Sequence, residues 1–167
     1  MGNINLLKGR TTVVILFLLG IFAVNNFAQE MSVPPNLQAA LFKKIFSFNK
    51  TLTSKGNVEV AVLGNGGDAV ASALKEVGVN AKAVGGDQIP SGVSVVYVMP
   101  GTAAPKQQSA SKGVLSISGV SSFVEDRKVA IGIGVEGGKP KIIINMSQLK
   151  AEGQELSSDL LKIARVI

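Results

Sequence analysis

The stretch Val58–Ala69, VEVAVLGNGGDA, decides the architecture of this chain. Its first residues are apolar and β-branched, which predicts a buried strand from Val58 to Leu63. A glycine-rich turn follows, Asp68 is predicted to cap a helix, and the helical pattern runs from Ala69 to Val77. Gly78 ends that helix, because glycine is favoured just beyond a helix C-terminus. A strand followed directly by a helix indicates an α/β domain.

Further apolar segments extend the predicted sheet to about six strands. Val93–Met99, VSVVYVM, is apolar almost throughout, as expected for a strand covered on both faces. A short link with Gly137 and Gly138 joins the last two strands, which predicts an antiparallel hairpin. We therefore predict a single α/β domain with a mixed β-sheet flanked by helices. The other predicted strands are Val79–Val84, Gly113–Ser118, Ala130–Val135 and Lys141–Asn145.

Helical segments are predicted on either side of these strands. The first has Pro34 and Pro35 at its start, Ser32 as its cap, and continues over Asn36–Asn49. A polar loop follows over residues 51–57. The remaining predicted segments are Thr102–Lys112, a helical turn at Val120–Glu125, Ser147–Glu152 and Ser157–Val166.

The N-terminus has the three regions of a secretory signal peptide. Residues 1–10 are basic, Val13–Val24 is an unbroken apolar run, and cleavage is expected between Ala28 and Gln29. The apolar run is shorter than the about 20 residues of a membrane span. An uncleaved N-terminal anchor is the alternative, because Asn26 is not the small residue expected at the −3 position. We predict a signal peptide over residues 1–28 and a periplasmic domain over residues 29–167.

Composition excludes several classes of function. The chain has 17 basic and 11 acidic residues, and their scattered placement does not indicate a nucleic-acid surface. Cysteine and histidine are absent, which excludes disulfides, thiolate chemistry and the common imidazole-based hydrolases and zinc sites. Ser109 and Lys112 form an S-x-x-K pattern, but no K-T-G follows, and we interpret it as a polar helix end or loop. We therefore predict no catalytic residue, no metal and no enzyme activity.

The glycine turn has the spacing of a dinucleotide-binding fingerprint. Gly64, Gly66 and Ala69 lie between a strand and a helix, and Asp87 follows the next strand. The structural interpretation is that the glycines permit a tight turn before a capped helix. Free dinucleotide is scarce outside the cytosol, so we predict no cofactor. Another anion stays open as an alternative, with candidate residues Gly64, Gly66, Gly67 and Asp68.

The last third of the chain carries a resemblance to a known family. VLSISGV, a hairpin ending in IIIN, and SQLKAEGQELSSDLLKIARVI resemble the C-terminal signature of the YfiR-like family of exported bacterial proteins. The resemblance extends over residues 36–167. It departs from the family at Arg127–Lys128, which replace a glycine pair, and in lacking the cysteines of some members. The matching residues are Ile144, Asn145, Leu156, Ser157, Ser158, Leu160, Leu161, Ala164 and Val166.

The resemblance implies an exported, non-enzymatic regulator in cyclic-di-GMP signalling. Such a module modulates a membrane-bound signalling protein, such as a diguanylate cyclase or a sensor kinase, by contacting its extracytoplasmic domain. A homodimer is left open, and no nucleic-acid partner is expected. The alternative is a periplasmic protein that binds a small ligand or anion at the Gly64–Asp68 turn. Basic side chains near that turn would favour this alternative, and an exposed apolar patch on the first helix would favour the regulator.

The first helix supplies the predicted contact surface. Phe42 and Phe46 lie to one side of its predicted core stripe, with Lys43 close by. We therefore predict Phe42, Lys43 and Phe46 as partner-binding residues. The alternative is that both rings simply widen the core face of the helix. The predicted stripe, at helical spacing, consists of Leu37, Leu41, Lys44, Ile45 and Phe48.

Overall fold

A computed structural model describes residues 31–103 and 113–167, which form a seven-stranded sheet with helices on both faces. The strands are β1 (Glu59–Leu63), β2 (Asn80–Val84), β3 (Val95–Val98), β4 (Leu115–Ser118), β5 (Ile131–Glu136), β6 (Lys139–Ile144) and β7 (Arg165–Val166). The helices are α1 (Pro35–Ser47), α2 (Lys50–Lys55), α3 (Asp68–Glu76), α4 (Ser121–Glu125), α5 (Met146–Ala151) and α6 (Ser158–Ile163).

The sheet is mixed, in the order β2-β1-β3-β4-β5-β6-β7. Each neighbouring pair from β2 to β5 is parallel, β6 is antiparallel to β5, and β7 is parallel to β6. Gly137 and Gly138 connect β5 to β6 with φ values of +57° and +74°, which a two-residue hairpin turn requires. The predicted α/β class, mixed sheet and C-terminal hairpin are therefore confirmed.

The core lies mainly between the sheet and the helices α1 and α3. Successive residues of a strand point to opposite faces, so Val62 and Tyr97 face this larger core, whereas Val98 and Ile143 face the smaller one under α4. Burial on both faces explains why β3 and β4 consist of buried residues only.

Two predicted segments end differently in the structure. The predicted loop over residues 51–57 is wrong, because the side-chain oxygen of Asn49 accepts a bond from the Leu52 amide (3.1 Å) and begins α2. The predicted helix Ser157–Val166 is wrong beyond Ile163, because the chain then pairs with β6 as β7. A two-residue strand has too short a pattern to be distinguished from the end of a helix.

Helix starts also differ from the prediction. Asp68 is not a cap: Gly67 holds the N-cap position, and Asp68 is the first helical residue without a side-chain cap bond. A Cβ at Gly67 would lie 2.7 Å from Val62 Cγ1, so the N-cap position packs closely on β1 and favours glycine. Ser32 does not cap α1 either, because Pro34 is the N-cap and no side chain bonds there. The predicted stop at Gly78 is confirmed, with φ +79° and its amide bonded to the Lys75 carbonyl.

Helix α1 is rotated relative to the predicted stripe. Phe42 is 0% exposed and Phe46 is buried, whereas Leu37 is 41% exposed and Lys44 is also exposed. The Phe42 ring packs edge-on against Tyr97, with ring centroids 5.9 Å apart. Two phenyl rings bury more apolar area than two leucines, which explains the rotation. The predicted stripe is therefore confirmed at Ile45 and in part at Leu41 and Phe48, which are partly buried against the core. It is wrong at the two exposed positions, and the structure has the wider aromatic core face that was the alternative.

Some predicted features lie outside the described residues. These are the signal peptide over residues 1–28, the cleavage site between Ala28 and Gln29, and the S-x-x-K pattern of Ser109 and Lys112. Of the predicted helix Thr102–Lys112, the structure describes Thr102 and Ala103, and neither is helical.

Candidate functional site

A crevice of about 680 Å³ lies at the carboxyl end of the parallel strands. Its walls are the segments that follow β1, β2 and β3, together with Met31 from the start of the described chain. β1 has β2 on one side and β3 on the other, so the segments after these strands diverge around it. Such a switch point is where open α/β sheets commonly bind ligands.

Gly64 makes the close approach of two of these segments possible. Its φ is +103°, and a Cβ there would lie 1.8 Å from Thr102 Oγ1 and 3.1 Å from Met99 Cβ. The Thr102 hydroxyl donates to the Leu63 carbonyl (3.4 Å), and the Gly64 amide donates to the Val84 carbonyl (3.2 Å). The ends of β1, β2 and β3 are thus tied together beneath the crevice.

The structure brings some of the predicted glycine-turn residues together. Gly64 and Asp87 both line the crevice, as the fingerprint spacing would require, whereas Gly66, Gly67 and Asp68 are not among its lining residues. Among the described lining residues, Asp87 is the charged one, and they include no lysine or arginine. The basic side chains that would favour an anion are therefore not found there, and the anion site stays a prediction.

A buried polar network lies beside the crevice. The Tyr97 hydroxyl donates to Gln38 Oε1 (2.6 Å) and accepts from the Gly119 amide (3.0 Å), and Gln38 Nε2 donates to the Val33 carbonyl (2.6 Å). The Sδ of Met31 lies 3.3 Å from the Tyr97 hydroxyl. Burial raises the pKa of Tyr97 above its usual range, so the hydroxyl stays protonated. The network anchors the segment before α1 to the middle of the sheet.

Sequence reasoning missed this network, although it left two signals. Gln38 is four residues before Phe42, which places a polar side chain on the buried helix face. Tyr97 is the single tyrosine of the chain and lies in an otherwise apolar strand. A Cβ at Gly119 would lie 2.3 Å from Gln38 Oε1, so only glycine fits beside the network.

The predicted docking residues do not form one exposed surface. Phe42 lies in the core, and Lys43 Nζ donates to the Val77 carbonyl (2.5 Å) at the C-terminus of α3, where a cation is favoured. Lys43 and Phe46 line a smaller cleft of about 240 Å³, next to Val58 and Asn80 near the amino ends of β1 and β2. An apolar patch built on both phenyl rings is therefore not present on α1.

Exposed apolar side chains gather at the other edge of the sheet. Of the five large apolar side chains that are exposed in the described part of the chain, Leu37 is on α1. The other four are at or near the hairpin and β7: Val135, Ile163, Val166 and Ile167. Ion pairs from Arg165 to Glu125 and Glu136 lie at the same edge.

A second buried cluster lies at the amino end of the sheet. The Glu152 carboxylate accepts bonds from the Ser116 amide (2.9 Å), the Ser116 hydroxyl and Gln148 Nε2 (3.0 Å). Burial outweighs these bonds and raises the pKa of Glu152 to about 7. Asn49 Nδ2 donates to Gln154 Oε1 (2.9 Å) in the same region. All of these side chains are buried except that of Gln148, which is partly buried, so the cluster has a structural role.

Over residues 31–103 and 113–167, no helix is long and apolar enough to cross a membrane. No group of three or more acidic side chains there is placed to hold a metal ion.

The profile of a protein family described as YfiR/HmsC-like matches residues 35–165, which is more than half of the chain. No curated protein matches the chain. The match covers nearly the whole resemblance predicted over residues 36–167, which it confirms.

Proposed function

The chain belongs to the YfiR/HmsC-like family, a family of periplasmic regulators in cyclic-di-GMP signalling, and we propose that it is itself an exported, non-enzymatic module of this kind. Family membership is the observation that carries the proposal. The partner is the extracytoplasmic domain of a membrane-bound signalling protein, such as a diguanylate cyclase or a sensor kinase. The module acts on that domain by direct contact.

The signal peptide over residues 1–28 directs export and is removed by cleavage between Ala28 and Gln29. Val33 is buried, and its carbonyl accepts the bond from Gln38. A mature chain over residues 29–167 keeps both of these contacts, which supports this boundary.

Burial of the serine–carboxylate pair supports a non-enzymatic function. Ser116 and Glu152 are in hydrogen-bond contact, but both are fully enclosed. A hydroxyl beside a carboxylate can serve as a nucleophile only where a substrate can reach it. This pair therefore stabilises the fold.

The contact surface is the apolar patch around β7, defined by Val135, Ile163 and Val166. The strand register supports this grouping. Val166 of β7 pairs with Ile144 of β6, which in turn pairs with Ile131 of β5. Val135 is four residues further along β5 than Ile131. Paired residues and residues an even number apart share a face of the sheet. Exposed apolar side chains flanked by charges are typical of protein-binding surfaces. The occupant of this patch is the partner's extracytoplasmic domain.

Deletion of the gene in its own host tests the proposal. We expect the cellular concentration of cyclic-di-GMP to change, and to return to its original value when the full chain is supplied. A chain starting at residue 29 without the leader is expected not to restore it. An unchanged cyclic-di-GMP concentration after deletion would contradict the assignment to this signalling system.

Single substitutions by aspartate on the surface test whether the patch contacts the partner. We expect Ile163→Asp to prevent restoration of the cyclic-di-GMP concentration and to reduce photo-crosslinking to the co-expressed membrane-bound signalling protein, because a carboxylate in an apolar contact is costly. Leu37→Asp is the matched control, since Leu37 is an exposed apolar residue on α1 and is not part of the patch. Circular dichroism and the periplasmic amount of each variant separate lost contact from lost folding. Equal effects of both substitutions would place the contact elsewhere.

A further inference from the structure

The crevice at the switch point has the size and lining of a small-molecule site. Its volume of about 680 Å³ lies within the roughly 300–1,000 Å³ of ligand pockets. It lies at the ends of β1, β2 and β3, whereas the patch around β7 lies at the far edge of the sheet. A ligand in the crevice would therefore leave that patch free.

One wall of the crevice is apolar. Met31, Met99 and Pro100 contribute to its lining. Methionine thioethers make favourable contacts with aromatic rings and adapt to irregular shapes. This wall fits the apolar or aromatic part of a ligand.

The polar wall offers acceptors and one negative charge. The Thr102 hydroxyl donates its proton to the Leu63 carbonyl, which leaves its lone pairs available as acceptors. Asp87 is exposed, and among the described residues it takes part in none of the ion pairs. A carboxylate and a hydroxyl oxygen in the lining of one crevice favour a ligand that donates hydrogen bonds and carries positive charge.

We infer that this crevice binds a small organic amine with an aromatic or apolar body. The ammonium group bonds to the Asp87 carboxylate, and the apolar body packs against Met31 and Met99. This ligand class differs from the anion expected from the glycine turn, because Asp87 supplies the charge in the described lining.

Three probes with one carbon skeleton test the inference: 3-phenylpropylamine, 3-phenylpropanol and 3-phenylpropionate. Protein purified from a periplasmic extract is titrated with each probe by calorimetry at low salt. We expect saturable binding of the amine, at least about tenfold weaker binding of the alcohol, and no binding of the carboxylate. Equal affinity for the amine and the carboxylate, or no saturable binding of the amine, would overturn the inference.

Two variants locate the site. Asp87→Asn is expected to weaken amine binding by about tenfold, because one charge-assisted bond is lost. Asp159→Asn is the matched control, since Asp159 is an exposed acid on α6 that pairs with Lys162, and unchanged binding is expected. Unchanged amine affinity in Asp87→Asn, with circular dichroism showing a folded protein, would exclude the crevice as the site.

Discussion

The polar groups at the amino end of the sheet are buried, whereas some of those at the carboxyl end are accessible to a ligand. At the amino end, Glu152, Ser116 and Gln154 are buried and hydrogen-bonded to one another or to neighbouring groups. At the carboxyl end, Asp87 and Thr102 line an open crevice. Buried polar groups must be paired, or the fold loses stability, whereas exposed ones carry no such requirement. The amino end is therefore built for stability, whereas the carboxyl end has, beside the buried tyrosine network, an open crevice whose groups are free to bind.

The substitution with the largest expected effect on stability lies in the core between these two ends. Phe42→Ala removes a fully buried ring that packs on Tyr97, and we expect a loss of about 3–5 kcal/mol in the free energy of unfolding. Leu37→Ala on the same helix is the control, with an expected change within about 0.5 kcal/mol because Leu37 is largely exposed. Urea denaturation monitored by circular dichroism measures both. A larger loss for Leu37→Ala would mean that α1 presents its other face to the core.

A pH-dependent effect is expected at the amino end. Burial raises the pKa of Glu152 to about 7 from 4.5, so between these values the folded state holds a proton that the unfolded chain has released. The contribution to stability is complete below about pH 4.5 and falls by roughly 3 kcal/mol as pH rises to about 7. Glu152→Gln should remove this fall, because the amide does not ionise.

Denaturation of both proteins from pH 4.5 to pH 7.5 checks this expectation. Glu155→Gln is the control, since Glu155 is an exposed partner of Lys50 and contributes little. If the unfolding free energies of the wild type and of Glu152→Gln change with pH in the same way, Glu152 is not a buried, protonated acid.

A substitution in the polar network beside the crevice is expected to have an intermediate effect on stability. Tyr97→Phe leaves Gln38 Oε1 and the Gly119 amide without their buried partner, which costs about 1–3 kcal/mol of unfolding free energy. Thermal unfolding measures the loss. Val135→Ile, at an exposed strand position, controls for a changed side chain in the sheet. A stability equal to the wild type would mean that water or a rearranged Gln38 satisfies these groups.

The smallest effect is expected at the carboxyl end. Asp87→Asn should change the free energy of unfolding by no more than about 0.5 kcal/mol, because Asp87 is exposed and supports no ion pair among the described residues. Paired with the pH experiment on Glu152, this measurement sharpens the difference between the two ends. A loss above about 1 kcal/mol would show that Asp87 also stabilises the fold.

Local sequence patterns predicted those parts of the fold that depend on neighbouring residues. The strand at Val58–Leu63, the helix ending at Gly78 and the hairpin with Gly137 and Gly138 are found close to their predicted positions. Each is specified within a few residues, by a run of β-branched side chains or by glycines with positive φ. The family resemblance also came from sequence, and the profile match confirmed it.

Elements that depend on distant partners were not predicted. Arg165–Val166 forms a strand because β6 is beside it and because Arg165 pairs with Glu125 and Glu136. The face of α1 that is buried was decided by Tyr97, which is far along the chain from Phe42. Asn49 was assigned to the end of the first helix, although it caps α2 and bonds to Gln154. In each case tertiary contacts outweigh the local pattern.

The sequence by itself determined the fold class, the hairpin, the family and the absence of cysteine and histidine chemistry, because these depend on composition and short-range periodicity. Only the tertiary structure decided which groups meet. Gly64, Asp87 and Thr102 belong to three separate segments that converge because parallel strands end at one edge of the sheet. Glu152 is buried because α5 ends beside the start of β4, where its carboxylate meets Ser116. Burial and convergence arise from packing of the whole chain, and no local pattern contains them.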